Sequence, residues 1–214
     1  PDRDHRDEAV LALADPDHRR AGDAYTLAAY GELAGHENHH REAFDADAQG
    51  WAASGVAALL LAGVCCRIAG DDDRARNRAE QARAVAADQR DSVLDSPLDR
   101  GACEEFVGDA HALAGDADAA ATAYDRAAEA YETAAPDDPA GATTRPALQA
   151  GTDLLLQLSR PEDVAWDEVH GTGGDALARR VRFRRSRLPE MVDARVADGR
   201  LHPPRGSTEY NSDF

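Results

Sequence analysis

The chain alternates between apolar segments and charged, alanine-rich segments, each long enough to form a helix. Three similar turns separate these segments, at Leu33-Ala34-Gly35, Ile68-Ala69-Gly70 and Leu113-Ala114-Gly115. An apolar segment before each turn and a charged one after it predict two helices packed against each other. The three turn glycines, at positions 35, 70 and 115, are 35 and 45 residues apart. The pattern therefore predicts an all-α fold made of repeated antiparallel helix pairs.

The repeated pairs predict a helical array over residues 1–160. A short helix at 4–14, ended by Asp15-Pro16, precedes the repeats. The longer second interval is explained by an insertion at 89–99. The expected units, with a capping helix after the third, are 20–54, 55–90, 100–136 and 146–159.

Residues 161–214 differ in composition and are expected to form an Arg-rich C-terminal appendage, partly extended. The glycines at 171–174 predict a flexible link into this segment. Two helices are expected, at 176–186 and from Pro189 to about 197, because proline is favoured in the first turn of a helix. Beyond Gly199 the segment is expected to be extended.

Small and aromatic residues recur at fixed distances from the turn glycines. In the third unit Gly108 lies seven residues before Gly115, and Ala120, Tyr124 and Ala127 lie five, nine and twelve residues after it. The second unit keeps the small residues but has alanine at the aromatic position. Its residues are Gly63, Ala75, Ala79 and Ala82. The first unit has Ala28 and Phe44 in place, but His40 and Asp47 stand at the small positions.

This spacing resembles the tetratricopeptide repeat family over about residues 20–136, although the family's helix-A tryptophan is absent. The resemblance implies a short right-handed superhelix that binds a protein or peptide partner without catalysis or a cofactor. In peptide-binding members the inner face comes from the first helix of each pair. Carried over to this chain, the resemblance implies a partner-binding face made of Tyr25, Tyr30, Arg67, Glu104 and His111.

The charge and composition of the chain are also unusual. The 214 residues carry 41 acidic and 24 basic side chains, a net charge of -17, and all the basic ones are arginine. This composition resembles that of proteins from halophilic archaea, whose carboxylates stay hydrated and weakly repulsive in molar salt. We therefore interpret the acidity as adaptation to a salt-rich cytoplasm rather than as a sign of a basic partner.

Several classes of protein are not expected from this sequence. The longest apolar stretch, 56–66, is too short to cross a membrane, and no apolar segment of a signal peptide follows the charged start. We expect Cys65, Cys66 and Cys103 to be small buried apolar side chains rather than disulfides or metal ligands.

Six arginines lie within nine residues, and this cluster is the most unusual local feature of the sequence. Three alternatives remain open: binding to nucleic acid with Phe183 available for stacking, docking on the acidic helices of the same chain, or contact with an acidic partner protein. A nucleic-acid-associated or regulatory factor is accordingly the alternative function. The arginines are Arg179, Arg180, Arg182, Arg184, Arg185 and Arg187.

A histidine-rich segment matches the zinc-hydrolase pattern H-E-x-x-H. In that pattern His36 and His40 would bind zinc and Glu37 would act as the base. The segment follows the predicted turn at Gly35 directly, whereas the pattern requires the middle of a helix. We therefore assign no metal site and no catalytic residue, and we leave open whether His36, His39 and His40 bind a metal.

Overall fold

The structure of the protein is a computed structural model that describes residues 4–35, 51–162 and 164–205. These residues form ten α-helices and no strand, which confirms the all-α class. None of the helices in the described ranges is long and apolar enough to cross a membrane. The helices are α1 (His5–Ala14), α2 (His18–Leu33), α3 (Trp51–Ile68), α4 (Asp72–Asp88), α5 (Pro97–Ala114), α6 (Ala117–Ala134), α7 (Pro139–Ala142), α8 (Pro146–Ser159), α9 (Trp166–His170) and α10 (Ala176–Ala197).

The first six helices form three hairpins, α1–α2, α3–α4 and α5–α6, that share one turn geometry. The second helix of each hairpin is capped by an aspartate, which accepts a hydrogen bond from the backbone N–H three residues later. The backbone N–H of the same aspartate donates to the carbonyl five residues earlier, at 2.9 Å in all three turns. The capping residues are Asp17, Asp71 and Asp116.

The first hairpin lies earlier in the chain than the unit expected at 20–54. Its turn is at 15–17, and Gly35 lies beyond its second helix. Counted from Pro16, the small and aromatic pattern of the third unit recurs without exception. A small residue lies seven before, and small, aromatic and small residues lie five, nine and twelve after: Ala9, Ala21, Tyr25 and Ala28.

Helices α5 and α6 approach each other closely at two glycines. A Cβ atom added to Gly108 would lie 2.4 Å from Cε1 of Tyr124, and one added to Gly101 would lie 2.4 Å from Cε1 of Tyr131. Both rings are buried. The tyrosines of α6 therefore fill space that the glycines of α5 leave open, and the close packing holds the hairpin together.

The C-terminal helices pack on the hairpins instead of extending away from them. Helix α8 coincides with the helix expected at 146–159, and it lies against α3 and α5. Helix α10 contacts α3, α5, α6 and α8. Adjacent hairpins also contact each other, α2 with α3 and α4 with α5, so the core is continuous through the described helices.

Helix α10 is one continuous helix, although two helices were expected. Pro189 lies inside it and removes the backbone N–H that would bond to the carbonyl of Arg185. Leu188 lies beside the proline, and Met191 and Val192 follow it; all three side chains are buried. Burial on both sides of Pro189 therefore explains why the helix continues.

Candidate functional site

A cavity of about 490 Å³ opens between α1 and α8, with α3 as its floor. Its volume lies within the range of small-ligand and peptide-anchor pockets. The apolar floor and walls come from Val10, Ala57, Leu61, Ala150 and Leu154. Pro204 and seven polar side chains complete the lining: Arg6, Asp7, Tyr25, Ser54, Asp153, Gln157 and Arg205.

The polar groups of this cavity are held in defined positions. The amide Nε2 of Gln157 donates to the hydroxyl oxygen of Tyr25 at 2.9 Å. Burial raises the pKa of Tyr25 to about 12, so its hydroxyl stays protonated and can itself donate. Burial also raises the pKa of Asp153, although Gln149 donates a hydrogen bond to its carboxylate. The cavity therefore offers donors and acceptors beside an apolar floor.

A segment without regular secondary structure, residues 201–205, runs to the edge of the cavity. Leu201 is fully buried, and its backbone N–H donates to Nε2 of His18 at 3.1 Å. Burial lowers the pKa of His18, which keeps this nitrogen free to accept. The carbonyl of His202 accepts from Gln157 at 3.2 Å, and the carbonyl of Pro203 accepts from Arg160 at 2.8 Å. The hairpins and α8 thus hold an irregular stretch of chain by its backbone groups.

The five residues expected to form a partner-binding face are not gathered at this cavity. Tyr25 alone lines the cavity. Tyr30 is exposed on α2, and its hydroxyl donates to Gln81 of α4 at 3.1 Å. Arg67 pairs with Asp193 of α10 at 3.3 Å.

The other two lie on α5. Glu104 is buried and accepts hydrogen bonds from two arginines outside this cavity. His111 is half-buried, with Nδ1 3.9 Å from the carboxylate of Asp116. The face implied by the family resemblance therefore stays a prediction, and the geometry brings only Tyr25 to the cavity.

The six clustered arginines divide between two faces of α10. Arg180 and Arg184 are fully buried, as the alternative of docking on the same chain describes, whereas the other four are exposed. Each of the four pairs with an acidic side chain of this chain. Arg179 and Arg182 pair with Asp175, Arg185 with Asp125, and Arg187 with Glu162.

The two buried arginines meet two buried carboxylates of α5. The guanidinium of Arg180 lies 3.0 Å from Glu105, and that of Arg184 lies 3.2 Å from Glu105 and 3.4 Å from Asp109. Burial raises the pKa of Asp109 to about 6, opposed by the charge of Arg184. The pKa of Glu105 is lowered in spite of its burial, because both guanidiniums face it.

The sequence analysis left docking on the same chain open but did not single out Arg180 and Arg184 as the buried pair, although a signal for them was present. In α10 the buried apolar residues Leu177, Val181 and Leu188 are spaced at helical intervals. Arg180 and Arg184 fall on the same face. A guanidinium on the buried face of a helix requires a carboxylate partner in the core.

The remaining candidate residues from the sequence are the three cysteines and the histidine-rich segment. Cys65, Cys66 and Cys103 are free and buried, and burial raises the pKa of the Cys66 thiol. No group of three or more potential metal-ligating side chains lies together within the described ranges. The zinc-like pattern and the first unit's predicted second helix fall outside those ranges: His36, Glu37, His39, His40, Phe44 and Asp47.

Comparison of the chain with protein-family models, curated proteins and solved structures finds no match.

Proposed function

We propose that this protein is a non-enzymatic interaction module or adaptor of a salt-rich cytoplasm, which binds a peptide segment of a partner protein in the cavity between α1 and α8. In this proposal the three hairpins form a short superhelix of the tetratricopeptide type. The recurrence of Ala9, Ala21, Tyr25 and Ala28 around the first turn supports that arrangement at a turn that was not among the three expected from the sequence.

The observation that carries the proposal is the segment at 201–205. It is bound by side chains of α2 and α8 and the residue after α8, through one backbone N–H and two backbone carbonyls. His202 and Pro203 each precede a proline, which favours an extended chain. Recognition of an extended chain by its backbone groups, beside a pocket for a side chain, is a common way of binding peptides.

The cavity between α1 and α8 lies next to the segment at 201–205. Pro204 and Arg205, the last two described residues of the bound segment, line it. Its apolar floor suits one apolar anchor side chain, and the charges of Arg6, Asp7 and Asp153 suit polar neighbours of either sign. We therefore expect the ligand to be an extended, proline-containing peptide with an apolar anchor.

The nucleic-acid alternative has less support. Two of the six clustered arginines are fully buried, and the other four are paired with carboxylates of the same chain. Phosphate contacts would have to replace those pairs, and molar salt weakens such contacts strongly.

The test is a selection of random heptapeptides displayed on phage against the full chain, followed by titration of the enriched peptides. Ala150→Trp fills the cavity from α8, and Ala150→Leu fills it partly. Ala84→Trp, on an exposed position of α4, is the matched control. We expect affinity to fall about tenfold or more in Ala150→Trp and less in Ala150→Leu, with no change in the control. Failure to enrich any peptide, or equal affinity for all variants, would contradict the proposal.

A further inference from the structure

The segment at 201–205 is joined to α10 by a short turn, and α10 is held by contacts of its own. Gly199 adopts a positive φ of 64° just after the helix, and the backbone N–H of Arg200 donates to the carbonyl of Arg195 at 3.1 Å. Near the end of the helix the side chains of Met191 and Arg195 are buried. The segment can therefore leave the hairpins while α10 stays in place.

The contact between this segment and the rest of the chain is small. Leu201 is fully buried, whereas Pro204 is exposed and His202, Pro203 and Arg205 are partly exposed. The backbone of the segment bonds to side chains of α2, α8 and the residue after α8 at three successive positions, 201, 202 and 203. A contact with one buried side chain can open without unfolding the helices around it.

The groups that hold the segment define the peptide that fits them. His18 accepts from the N–H of the first residue, and Gln157 and Arg160 donate to the carbonyls of the second and third. The site of Leu201 takes an apolar side chain, whereas the partly exposed His202 leaves the second position open to many residues. Proline at the third and fourth positions brings no backbone N–H that needs a partner. The matching sequence is Leu-X-Pro-Pro, where X varies.

The segment also contributes to the lining of the cavity between α1 and α8. Pro204 and Arg205 line that cavity, and so does Gln157, which donates to the carbonyl of His202. Departure of the segment would therefore join the cavity to the groups that bind the backbone. One extended peptide from a partner could then contact both.

We propose that residues 201–205 are an internal competitor for the peptide site, and that the partner presents an extended Leu-X-Pro-Pro segment that replaces them. This inference rests on the proposed function, because it names the ligand of the same surface and the contact that regulates access to it. The competitor belongs to the same chain, so its effective concentration is high. The apparent affinity for a partner peptide is lowered to the extent that the internal segment is bound.

The test measures binding of a fluorescein-labelled peptide, with the sequence of residues 199–205, to the full chain by fluorescence anisotropy. The KCl concentration is one at which circular dichroism shows the folded state. Leu201→Ala weakens the internal competitor and leaves the groups that bind it unchanged. We therefore expect the peptide to bind this variant about tenfold or more tightly than the unaltered chain.

Two controls accompany this comparison. The same peptide with alanine in place of its leucine should bind Leu201→Ala about tenfold or more weakly than the original peptide does. Leu27→Ala alters an exposed leucine of α2 that does not line the cavity. It is the matched control, and it should bind the peptide as the unaltered chain does.

Pro204→Gly decides the question if Leu201→Ala does not fold. Pro204 is exposed, and glycine raises the conformational entropy of the released segment, which weakens the internal competitor. We expect the peptide to bind this variant about twofold to fivefold more tightly than the unaltered chain.

The inference is overturned if the peptide binds Leu201→Ala and Pro204→Gly no more tightly than the unaltered chain, because the segment then does not compete. It is also overturned if the peptide binds none of these proteins, or if its alanine version binds Leu201→Ala equally well. The proposed function is decided separately, by the heptapeptides selected on the unaltered chain and their weaker binding to Ala150→Trp. The two failures are therefore distinguishable.

Discussion

Helix α5 packs against two neighbours in different ways. Toward α6 it presents glycines, and the ring of Tyr124 fills the space beside Gly108. Toward α10 it presents two carboxylates, Glu105 and Asp109, to the guanidiniums of Arg180 and Arg184. The two contacts meet at Asp109, which accepts a hydrogen bond from the hydroxyl of Tyr124 at 3.0 Å.

The comparison shows how differently two buried contacts depend on single residues. The contact with α6 is stabilised by close packing and apolar burial, so its energy is spread over many atoms. The contact with α10 removes four charged groups from water, and each must be compensated by a partner. Arg180, for example, also donates to the Thr152 hydroxyl and the Leu148 carbonyl. We therefore expect single substitutions to destabilise the ionic contact with α10 more than the packed contact with α6.

The largest effect is expected from breaking the ionic contact. Arg184→Met leaves Glu105 paired with Arg180 but leaves Asp109 without an ion-pair partner among the described residues. An uncompensated buried charge costs about 3–5 kcal/mol. We expect the free energy of unfolding in urea to fall by that amount.

Arg185→Met is the matched control on the exposed face of the same helix. Its guanidinium pairs with Asp125, and both side chains are at least half exposed. Exposed pairs of this kind are worth about 0–1 kcal/mol. Equal losses of unfolding free energy in Arg184→Met and Arg185→Met would contradict the assignment of a buried and an exposed face to α10.

The next effect concerns pH and the protonation of Asp109. Its folded pKa, about 6, lies above the ordinary aspartate pKa of 3.8, because burial disfavours the carboxylate. A raised pKa means that the group stabilises the fold fully below about pH 3.8, and that this stabilisation is lost as the pH rises through 6. The shift of about two units corresponds to at most about 3 kcal/mol.

Asp109→Asn removes this titration and keeps the shape of the side chain. We expect the variant to gain stability relative to the unaltered chain between pH 4 and pH 7, by up to about 3 kcal/mol. His170, whose pKa burial lowers to about 4, titrates in both proteins and does not affect their difference. Parallel curves of unfolding free energy against pH for the two proteins would contradict the assignment.

The sequence predicted the contact with α6 better than the contact with α10, for physical reasons. Close helix packing depends on small and aromatic residues at fixed spacing, so Gly108 and Tyr124 were recognisable before the structure was known. The same pattern around Pro16 was missed because proline stands where the other turns have glycine. The element common to the three turns is the capping aspartate rather than a turn glycine.

The buried ions and the cavity were harder to predict. With 41 acidic residues in the chain, Glu105 and Asp109 were not distinguishable as core residues. The cavity between α1 and α8 brings Arg6 together with Arg205, far apart in the chain. Such pairings arise only when the helices have packed, so no local pattern indicates them.

The smallest effect is expected at the contact between α5 and α6. Gly108→Ala would place a Cβ atom 2.4 Å from the Tyr124 ring, so the ring or the helix must shift. Overpacking of this kind costs about 1–3 kcal/mol. Gly31→Ala in α2 is the control, because no atom lies within 4 Å of the added Cβ and alanine favours a helix by about 0.5–1 kcal/mol. The two alanine variants should therefore shift the urea midpoint in opposite directions. A shift in the same direction would mean that the Tyr124 ring moves aside easily, and that the contact between α5 and α6 is packed more loosely than the ionic contact between α5 and α10.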